Sequence, residues 1–491
     1  MLLRRRTRFI PKLLITAVFV IVSISVLGRA ILKFQLNKEV IYYRKYFNDR
    51  KDGIQTIFNP LEIKQIPSET IDSLYKRRLR HTMTSKEKVD WAKFAYVNYV
   101  NDPEYLCNTL VMFTTLRGAG TKAKMVLLLS NELVNESSDP EQAERTSKLL
   151  KKLNANLGEQ LVIKYIDSII KSSDSTQWSK SLTKLLVFNE TDYSRVIFLD
   201  NDALLKDSMD ELFFIPDYIK FAAPLTYWFL SELDISKANE DLKSYEKKMT
   251  NLNVFIKTLN QRISKDQKIY NHLPNLPPRL FLNTRSVAED IMSYGSKIPL
   301  FAGFRSVGEY NKLRFASNVM VITPSTEKFN FIMQDILPII KEKKGMYDMD
   351  VINDYLYNLR TIIPSQFSLF RRLKTAFVPQ VMVLPFSRYG ILTGSISHGE
   401  QHSIIKNDIL GYKRLDENGE EPVTKLTDVL ENTKYMHFSD YPIGKPWQYD
   451  SIGDFKCHID MKNKDVKEEK ALCKTWLSTF ETCRNQRKMC N

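Results

Sequence analysis

Residues 196–205 read Val-Ile-Phe-Leu-Asp-Asn-Asp-Ala-Leu-Leu, an apolar run that ends in two carboxylates one residue apart. Such a run is typical of a strand buried in a parallel sheet. Asp200 and Asp202 then stand where the strand ends, which is where open α/β sheets bind their ligands. Carboxylates opening a surface loop would look similar, but the buried strand before them favours a site for Mg²⁺ or Mn²⁺.

The residues before this stretch set the fold class. They contain predicted strands at 94–100, 124–130, 160–165 and 195–200, and predicted helices at 105–118, 141–153 and 181–189. Apolar strands that alternate with helices predict an α/β fold with a mostly parallel sheet flanked by helices. The strand pattern resumes at 315–321, so we expect one catalytic domain over residues 91–450.

Residues 225–313 interrupt the strand pattern and are interpreted as a helical insertion. Apolar residues recur every three or four positions from Leu242 to Ile263, which predicts one long amphipathic helix. A proline-rich segment, 274–278, ends it. Whether the insertion recognises a substrate or is a structural flap stays open.

A pair of aspartates after an apolar strand fits two reaction classes. In a haloacid-dehalogenase-type phosphatase the first aspartate is the nucleophile and the second a general acid. In a nucleotide-sugar transferase both carboxylates hold a metal that bridges the donor's diphosphate. The pair lies in the middle of the chain after three strands and is followed by Ala203 and Leu204, and both features favour the transferase.

A second group of chemically active residues lies on one short loop. His437, Lys445 and Trp447 occur in a segment shaped by prolines and a glycine. A neutral imidazole can complete a metal site that two aspartates begin. An ammonium group can neutralise a departing diphosphate. The loop therefore predicts the second half of the same site.

With both groups in view, the chain resembles the glycogenin-like glycosyltransferases of family 8, which have the GT-A fold, over about residues 94–224 and 314–450. Besides the aspartates and the His-to-Lys loop, five segments carry the resemblance: Ala95-Tyr-Val with Asn101 and Tyr105, Leu182-Thr-Lys-Leu185, Phe315-Ala-Ser-Asn-Val319, Tyr347 to Asn353, and Leu384 to Tyr389. The resemblance implies Mn²⁺ or Mg²⁺ on Asp200, Asp202 and His437. It implies donor binding by Asn101, Tyr105, Lys184, Asp200, Ser317, Asn318, Lys445 and Trp447. It also implies catalytic roles for Lys445 at the diphosphate and for Asp348 or Asp350 beside a developing oxocarbenium ion.

The layout of the whole chain is similar to that of fungal Golgi α-N-acetylglucosaminyltransferases. This similarity implies retaining transfer of GlcNAc from UDP-GlcNAc to mannose residues of N-glycans. Ala316, Asn318, Met349 and Gly390 depart from the residues usual in the family. Another UDP-hexose as donor, or a non-catalytic glycan-binding relative, therefore stays an alternative.

The basic residues are concentrated at the N-terminus. The chain has 491 residues and a net charge of +15, and eight basic residues precede the first acid, Glu39. They flank an apolar segment, so we expect a cytosolic tail at 1–12, a transmembrane signal-anchor at 13–32 and a stem at 33–90. A cleaved signal peptide is the competing interpretation. We expect a type II protein of the Golgi membrane with a lumenal catalytic domain, and no nucleic-acid partner.

Cysteines and sequons agree with a lumenal location. Four of the five cysteines fall in the last 35 residues, which predicts two disulfides within a C-terminal appendage at 451–491 and leaves Cys107 as a buried thiol. Asn135 and Asn189 begin N-glycosylation sequons.

Overall fold

The computed structural model describes residues 3–50, 58–84, 88–135, 139–171, 178–246, 251–282, 287–295, 313–366, 378–397, 399–441, 443–449, 457 and 466–491. The chain divides into two compact units. The smaller unit combines residues 1–62, 281–311 and 359–377, and the larger one combines 63–280, 312–358 and 378–491.

The helices and strands are numbered along the chain. The strands are β1 Phe94–Val100, β2 Lys124–Ser130, β3 Leu161–Ile166, β4 Arg195–Leu199, β5 Ala203–Leu205, β6 Phe221–Ala223, β7 Val319–Ile322, β8 Val381–Val383, β9 Ile391–Leu392 and β10 Tyr435–His437. The helices are α1 Leu3–Arg50, α2 Ser68–Thr84, α3 Pro103–Gly118, α4 Pro140–Leu157, α5 Glu232–Glu246, α6 Leu252–Ser264, α7 Val287–Gly295, α8 Thr326–Phe331, α9 Leu337–Glu342, α10 Asp348–Asp350, α11 Leu359–Gln366, α12 Phe386–Tyr389, α13 Gly394–Ser397, α14 His402–Lys406, α15 Leu426–Asn432 and α16 Val466–Arg487. Residues 181–189, predicted as a helix, form a 3₁₀ helix.

The core of the larger unit is a seven-stranded sheet in the order β3-β2-β1-β4-β7-β6-β8. Strands β1 to β4 are parallel to one another, whereas β7 runs antiparallel to both β4 and β6. Every residue of β4 is buried. Val196 to Leu199 form the continuous apolar run that such burial requires, and the buried Arg195 donates to the carbonyls of Phe213 and Ile215. The predicted α/β architecture, a mostly parallel sheet with flanking helices, is confirmed, and an apolar helix precedes it in the chain.

This topology brings three chain segments to one edge of the sheet. Because β1 and β4 are parallel neighbours, Asn101 and Asp200 follow them at the same edge. Since β7 is antiparallel, the residue before it, Asn318, lies at this edge too and accepts a hydrogen bond from the Asp200 N–H at 2.8 Å. Helix α3 begins here, where the Asp102 carboxylate caps it by accepting from the Glu104 N–H at 2.7 Å.

A second, three-stranded sheet, in the order β5-β10-β9, brings the C-terminal half of the chain to the same edge. Strand β5 starts directly after Asp202 and pairs antiparallel with β10, so that Ala203 faces His437. The Phe438 N–H then donates to the Asp202 carbonyl at 3.0 Å. The register of this short pairing therefore places the histidine beside the second aspartate.

The prediction of one long helix at 242–263 is wrong: the described residues there form two helices, α5 and α6. Asn251 begins the second one, because its side-chain oxygen accepts from the Asn253 N–H at 3.0 Å. Leu242 and Leu252, one on each helix, belong to one cluster with Ile409 and Tyr412. Two helices that share one apolar face give the same sequence period as a single helix.

The smaller unit contains the N-terminal helix. Among the described residues, the helix segment Leu14–Phe47 is apolar and long enough to cross a membrane, and its most apolar window of 18 residues has a mean hydropathy of 2.3. Helix α1 continues without a break past residue 32, and Leu36, Val40 and Phe47 are buried. In this unit α1 contacts α7, where Lys33 pairs with Glu289, and α7 contacts α11. This arrangement is compatible with a type II anchor.

The domain boundaries drawn from the sequence stay predictions. The structure places α2, from the predicted stem, in the larger unit, where it contacts α6 and the 3₁₀ helix Asp210–Phe214. It also divides the predicted insertion between the units, since residues up to Leu280 belong to the larger one and those from Phe281 to the smaller.

The predicted cysteine pairing is wrong in one respect. Cys107 is not a free thiol but forms a disulfide with Cys490, and Cys457 pairs with Cys473. The free, buried thiol is Cys483, and burial raises its pKa to about 12. Helix α16 contacts α3, so the end of the chain meets a cysteine that is distant in sequence, and the cysteine spacing carries no trace of that contact.

Candidate active site

The two aspartates are fixed by hydrogen bonds to the backbone around them. Tyr435 Oη donates to the carbonyl of Asp200 at 2.9 Å. Between the aspartates, Asn201 Nδ2 donates to the carbonyl of Tyr99 on β1 at 3.0 Å. Asn98 donates to the Leu199 carbonyl at 2.6 Å. These contacts satisfy backbone groups where the strand ladder stops, so the carboxylates are held at defined positions.

The residues that were predicted to hold a metal lie together. Asp200, Asp202 and His437 each offer one ligand atom, and these atoms lie within 4.8 Å of one another. The imidazole Nδ1 of His437 is buried without a hydrogen-bond partner, while its Nε2 lies 3.0 Å from Asp202 Oδ1. Two carboxylates and an imidazole are donors that suit Mn²⁺ or Mg²⁺. The residues therefore fit a divalent cation.

Lys184 connects the first aspartate with the segment at α10. Its Nζ lies 2.9 Å from an Asp200 oxygen and 3.0 Å from Asp348 Oδ2. Burial would lower the pKa of this lysine, but the two carboxylates outweigh burial and raise it above its usual value. Burial raises the pKa of Asp200 to about 6, against the attraction of Lys184. Lys184 thus remains a cation between the half-buried Asp200 and the buried Asp348.

Lys445 and His437 face the second aspartate. Lys445 Nζ lies 2.8 Å from Asp202 Oδ2 and also donates to the Phe438 carbonyl. Burial would raise the pKa of Asp202, but His437 and Lys445 outweigh it and hold that pKa well below its usual range. The second aspartate therefore stays ionised, which a metal ligand requires.

The short helix α10 presents the two aspartates that were predicted to act on the sugar. Asp348 is buried and paired with Lys184. Asp350 lies 2.9 Å from Arg314 and accepts from the Tyr347 N–H at 2.8 Å. The segment is tied to the strand side by Asn353, which donates to the Phe315 carbonyl at 2.9 Å. Both carboxylates thus have a cationic partner.

An aromatic wall borders the site, formed by Tyr105 at the start of α3 and Trp447 on the loop. Their ring centroids are 6.0 Å apart at 78°. Burial, together with Asp202, Asp102 and Asp200, raises the pKa of Tyr105, so its hydroxyl lies in the field of the metal-binding carboxylates. Trp447 also packs edge-on against Phe438 at 6.3 Å.

The remaining predicted site residues divide into two groups. Asn101 and Ser317 are half-buried at the same sheet edge. Asn318 is buried, and its side-chain oxygen accepts a hydrogen bond from the Val319 N–H at 3.0 Å. The second group is Asn135 and Asn189, the two sequon asparagines, whose side chains are exposed. Their use as glycosylation sites stays a prediction.

Sequence reasoning missed the residues that hold the His-to-Lys loop. Asp440 accepts from Trp476 Nε1 of α16 at 2.9 Å and from the Thr393 hydroxyl. Phe438 packs against Phe480 of the same helix at 5.2 Å, and Arg487 lies over Trp447. The odd number of cysteines, with Cys107 left over, was the one signal that the tail folds back onto the domain.

Taken as chemistry, the group combines a cation-binding set, two lysines and an aromatic wall at one sheet edge. Such a site suits a ligand with a polyanionic part, bound by the cation and the ammonium groups, and a planar part that packs on aromatic rings.

The chain is similar in sequence to a group of fungal proteins. It is 49% identical over 489 residues to the protein of Saccharomyces cerevisiae named glucose N-acetyltransferase 1, and the match covers 99% of each chain. The Candida glabrata protein of the same name is 48% identical over 96% of this chain and 94% of its own. The Aspergillus fumigatus protein of that name is 25% identical over 82% of this chain and 78% of its own. No family model matches the chain.

Solved structures are more distant. The bifunctional glycosyltransferase WbbM has a TM-score of 0.36 and 12% identity, covering 74% of this chain and 48% of that chain. The galactosyltransferase LgtC, in complex with donor and acceptor sugar analogues, has a TM-score of 0.32 and 12% identity, covering 78% of this chain and 95% of that chain. We draw no conclusion from either likeness.

Proposed function

Since the chain belongs to the glucose N-acetyltransferase 1 family and is a glycosyltransferase, we propose that it transfers GlcNAc from UDP-GlcNAc to mannose residues of N-glycans. The transfer would be metal-dependent and would retain the anomeric configuration. The reaction would take place in the Golgi lumen, with α1 as the membrane anchor. The alternatives are another UDP-hexose as donor, or glycan binding without turnover.

One observation carries this proposal: the convergence of Asp200, Asp202 and His437 with Lys184 and Lys445 at one sheet edge. Five ionisable side chains from distant parts of the chain meet there, each in a buried or half-buried position. A protein that only binds neutral glycans does not need this concentration of charge, because burying charges is costly. A diphosphate donor does need it.

The metal would be held by Asp200, Asp202 and His437, and when bound it supplies Lewis-acid stabilisation of the leaving diphosphate. Lys445 acts on the same leaving group. Its side chain is 28% exposed, and its ammonium is held toward the site by Asp202 and the Phe438 carbonyl. It can therefore offer its remaining N–H to an incoming phosphate oxygen, where charge grows as the sugar departs.

Asp348 and Asp350 would stabilise the sugar as positive charge develops on its ring. Each already has a cationic partner, Lys184 or Arg314, so each is a weaker nucleophile than a free carboxylate. Among the described residues, no side chain of the site stands out as a nucleophile. We therefore assign both aspartates an electrostatic role.

The anchor and the cysteines support the proposed location. The apolar helix at Leu14–Phe47 follows a cluster of basic residues, which the positive-inside rule assigns to the cytosol. The two disulfides lie in the larger unit, and disulfides form in the oxidising secretory route. Both features support a lumenal catalytic unit.

The direct experiment uses the full-length chain purified in detergent with Mn²⁺, a mannose-terminated N-glycan and a panel of UDP-sugars. We expect transfer from UDP-GlcNAc above all other donors, and loss of transfer when the metal is chelated. Anomeric configuration of the product, read by NMR, should match that of the donor.

The rivals predict other outcomes. Preference for a different UDP-sugar would replace the donor but keep the mechanism. Glycan binding without turnover of any donor would contradict the assignment as an enzyme. A trapped phospho-aspartyl group on Asp200 after incubation with a phosphomonoester would indicate the phosphatase.

A further inference from the structure

Helix α16 reaches the aromatic wall of the site through one side chain, Arg487. Its guanidinium carbon lies 5.0 Å from the centroid of the Trp447 ring. The same guanidinium donates to the Glu104 carbonyl at 3.1 Å and to Asn108 Oδ1, and it pairs with the Glu104 carboxylate. The side chain is only 11% exposed. One cation thus joins the start of α3 with the loop that carries Trp447.

Trp447 is mechanically coupled to Lys445. The two residues lie in one turn that is closed by Gln448, whose N–H donates to the Lys445 carbonyl at 2.9 Å and whose Oε1 accepts from the Lys445 N–H at 2.7 Å. Because this turn is short and closed by two hydrogen bonds, the backbone positions of Trp447 and Lys445 cannot shift independently. A contact that fixes Trp447 in place therefore also fixes the backbone from which Lys445 reaches Asp202.

The end of the chain is fixed strongly enough to act as that support. Cys490, three residues beyond Arg487, is joined covalently to Cys107, which lies on α3 between Glu104 and Asn108. Lys152 of α4 donates to the carbonyls of Met489 and Asn491 at 3.1 and 2.7 Å. The tail is therefore anchored directly beyond the arginine, and the guanidinium of Arg487 has little freedom to leave the ring.

We propose that Arg487 is a positioning residue for the nucleotide: it holds Trp447 edge-on to Tyr105 and so keeps the Lys445 turn closed over the diphosphate. The inference rests on the proposed function, because it assumes a nucleotide between the aromatic wall and the carboxylates. Trp447 and Lys445 touch the ligand, whereas Arg487 acts through Trp447. The C-terminal tail is thereby part of the donor site.

The test measures UDP binding to the full-length protein in Mn²⁺ by isothermal titration calorimetry. Arg487→Met keeps length and packing but removes the cation. We expect its Kd for UDP to rise about tenfold, within the range of a desolvated cation–π contact. A Kd unchanged from that of the unmodified protein would overturn the inference.

Arg145 provides a matched control. It pairs with the other oxygen of the same carboxylate, Glu104 Oε1, at 2.5 Å, but it lies on α4 and its side chain is 53% exposed. Arg145→Met should leave the Kd within about twofold, as expected for a surface ion pair. If Arg145→Met weakens UDP binding as much as Arg487→Met does, the effect comes from Glu104 and not from the indole, and the inference fails.

A double-mutant cycle separates positioning from general support. In a Trp447→Leu background, Arg487→Met should raise the Kd by no more than about twofold, because the residue through which it acts is gone. If Arg487→Met raises the Kd for UDP as much in the Trp447→Leu background as it does alone, the inference is overturned. If Arg487→Met does not fold, Arg487→Gln decides instead: the amide can still donate to Asn108 but carries no cation to the Trp447 ring, so an unchanged Kd would overturn the inference too.

These outcomes are distinguishable from failure of the proposed function. If the unmodified protein binds no UDP in the presence of Mn²⁺, both the proposed function and this inference fail. An unmodified protein that binds UDP, with Arg487 variants that bind it equally well, removes this inference alone.

Discussion

The two sides of the candidate site hold their aspartates in different ways. On one side, Lys184 pairs with both Asp200 and Asp348, and these three residues are carried by a 3₁₀ helix, a strand end and α10. On the other, Asp202 faces His437 and Lys445, which lie at the end of a three-residue strand and on the loop beyond it. Lys184 is 11% exposed, whereas Lys445 is 28% exposed.

The two sides shift the pKa values of their aspartates in opposite directions. Burial outweighs Lys184 and raises the pKa of Asp200 to about 6. On the other side, His437 and Lys445 outweigh burial and lower the pKa of Asp202. We infer that the Lys184 side is chiefly a framework whose charges balance one another, and that the Lys445 side has the capacity to respond to a ligand. The predictions below separate stability from turnover on this basis.

The largest effect is expected for Asp202→Asn. The amide keeps the volume of the side chain but removes an anionic ligand atom, so turnover with Mn²⁺ should fall by about 10²–10³-fold. Asp207→Asn is the control, because this carboxylate is 53% exposed and pairs with Lys434 at 3.2 Å. Equal turnover in the two variants would contradict a metal site at Asp202.

Lys184→Met tests the framework side. It leaves Asp200 and Asp348 close together without their shared cation, and the free energy of unfolding should fall by about 3 kcal/mol, as when a buried ion pair loses one partner. Urea unfolding measures this. Lys180→Met, which breaks a more exposed pair with Glu132, should cost at most about 1 kcal/mol. Similar losses in the two variants would erase the contrast between the two sides.

Lys445→Met tests the responsive side. Turnover should fall by about a hundredfold with little change in the KM for the donor, since the ammonium is needed most as the diphosphate departs. Its unfolding midpoint should stay near that of the unmodified protein, because the lysine is partly exposed. A large loss of stability with full turnover per folded molecule would reverse the roles assigned to the two lysines.

His437→Ala is expected to have the smallest and a reversible effect. Removal of one of three ligands should weaken Mn²⁺ by at least about 10–100-fold, the loss seen even when an outer-shell partner is removed. Excess Mn²⁺ should restore much of the turnover. His81→Ala on the exposed face of α2 is the control. If no concentration of Mn²⁺ restores turnover, the imidazole of His437 has a role other than binding the metal.

The sequence predicted the fold where elements are long and apolar. Strands β1 to β4 match their predicted positions within about one residue, because runs of five to seven mainly apolar residues give a clear pattern. Strands β5, β9 and β10 have two or three residues each, too few for any period. The pairing that sets His437 beside Asp202 was therefore invisible, although both residues were predicted to meet on the family resemblance.

Contacts between distant segments were equally hidden. Nothing in the local sequence of Arg487 indicates Trp447, and nothing near Lys184 indicates Asp348, because these contacts depend on how α16 and α10 pack. The long helix at 242–263 was predicted wrongly for a related reason: α5 and α6 share one apolar cluster and so preserve the period. The roles of the site residues stay predictions until the variants are measured.

The central claim is that Asp200, Asp202 and His437 bind one divalent cation that the nucleotide shares. Electron paramagnetic resonance of free Mn²⁺, titrated into the full-length protein with UDP, tests it most directly. We expect one tightly bound Mn²⁺ per chain, with binding lost in Asp202→Asn, weakened in His437→Ala and unchanged in Asp207→Asn. Tight, stoichiometric Mn²⁺ binding that survives Asp202→Asn would contradict it.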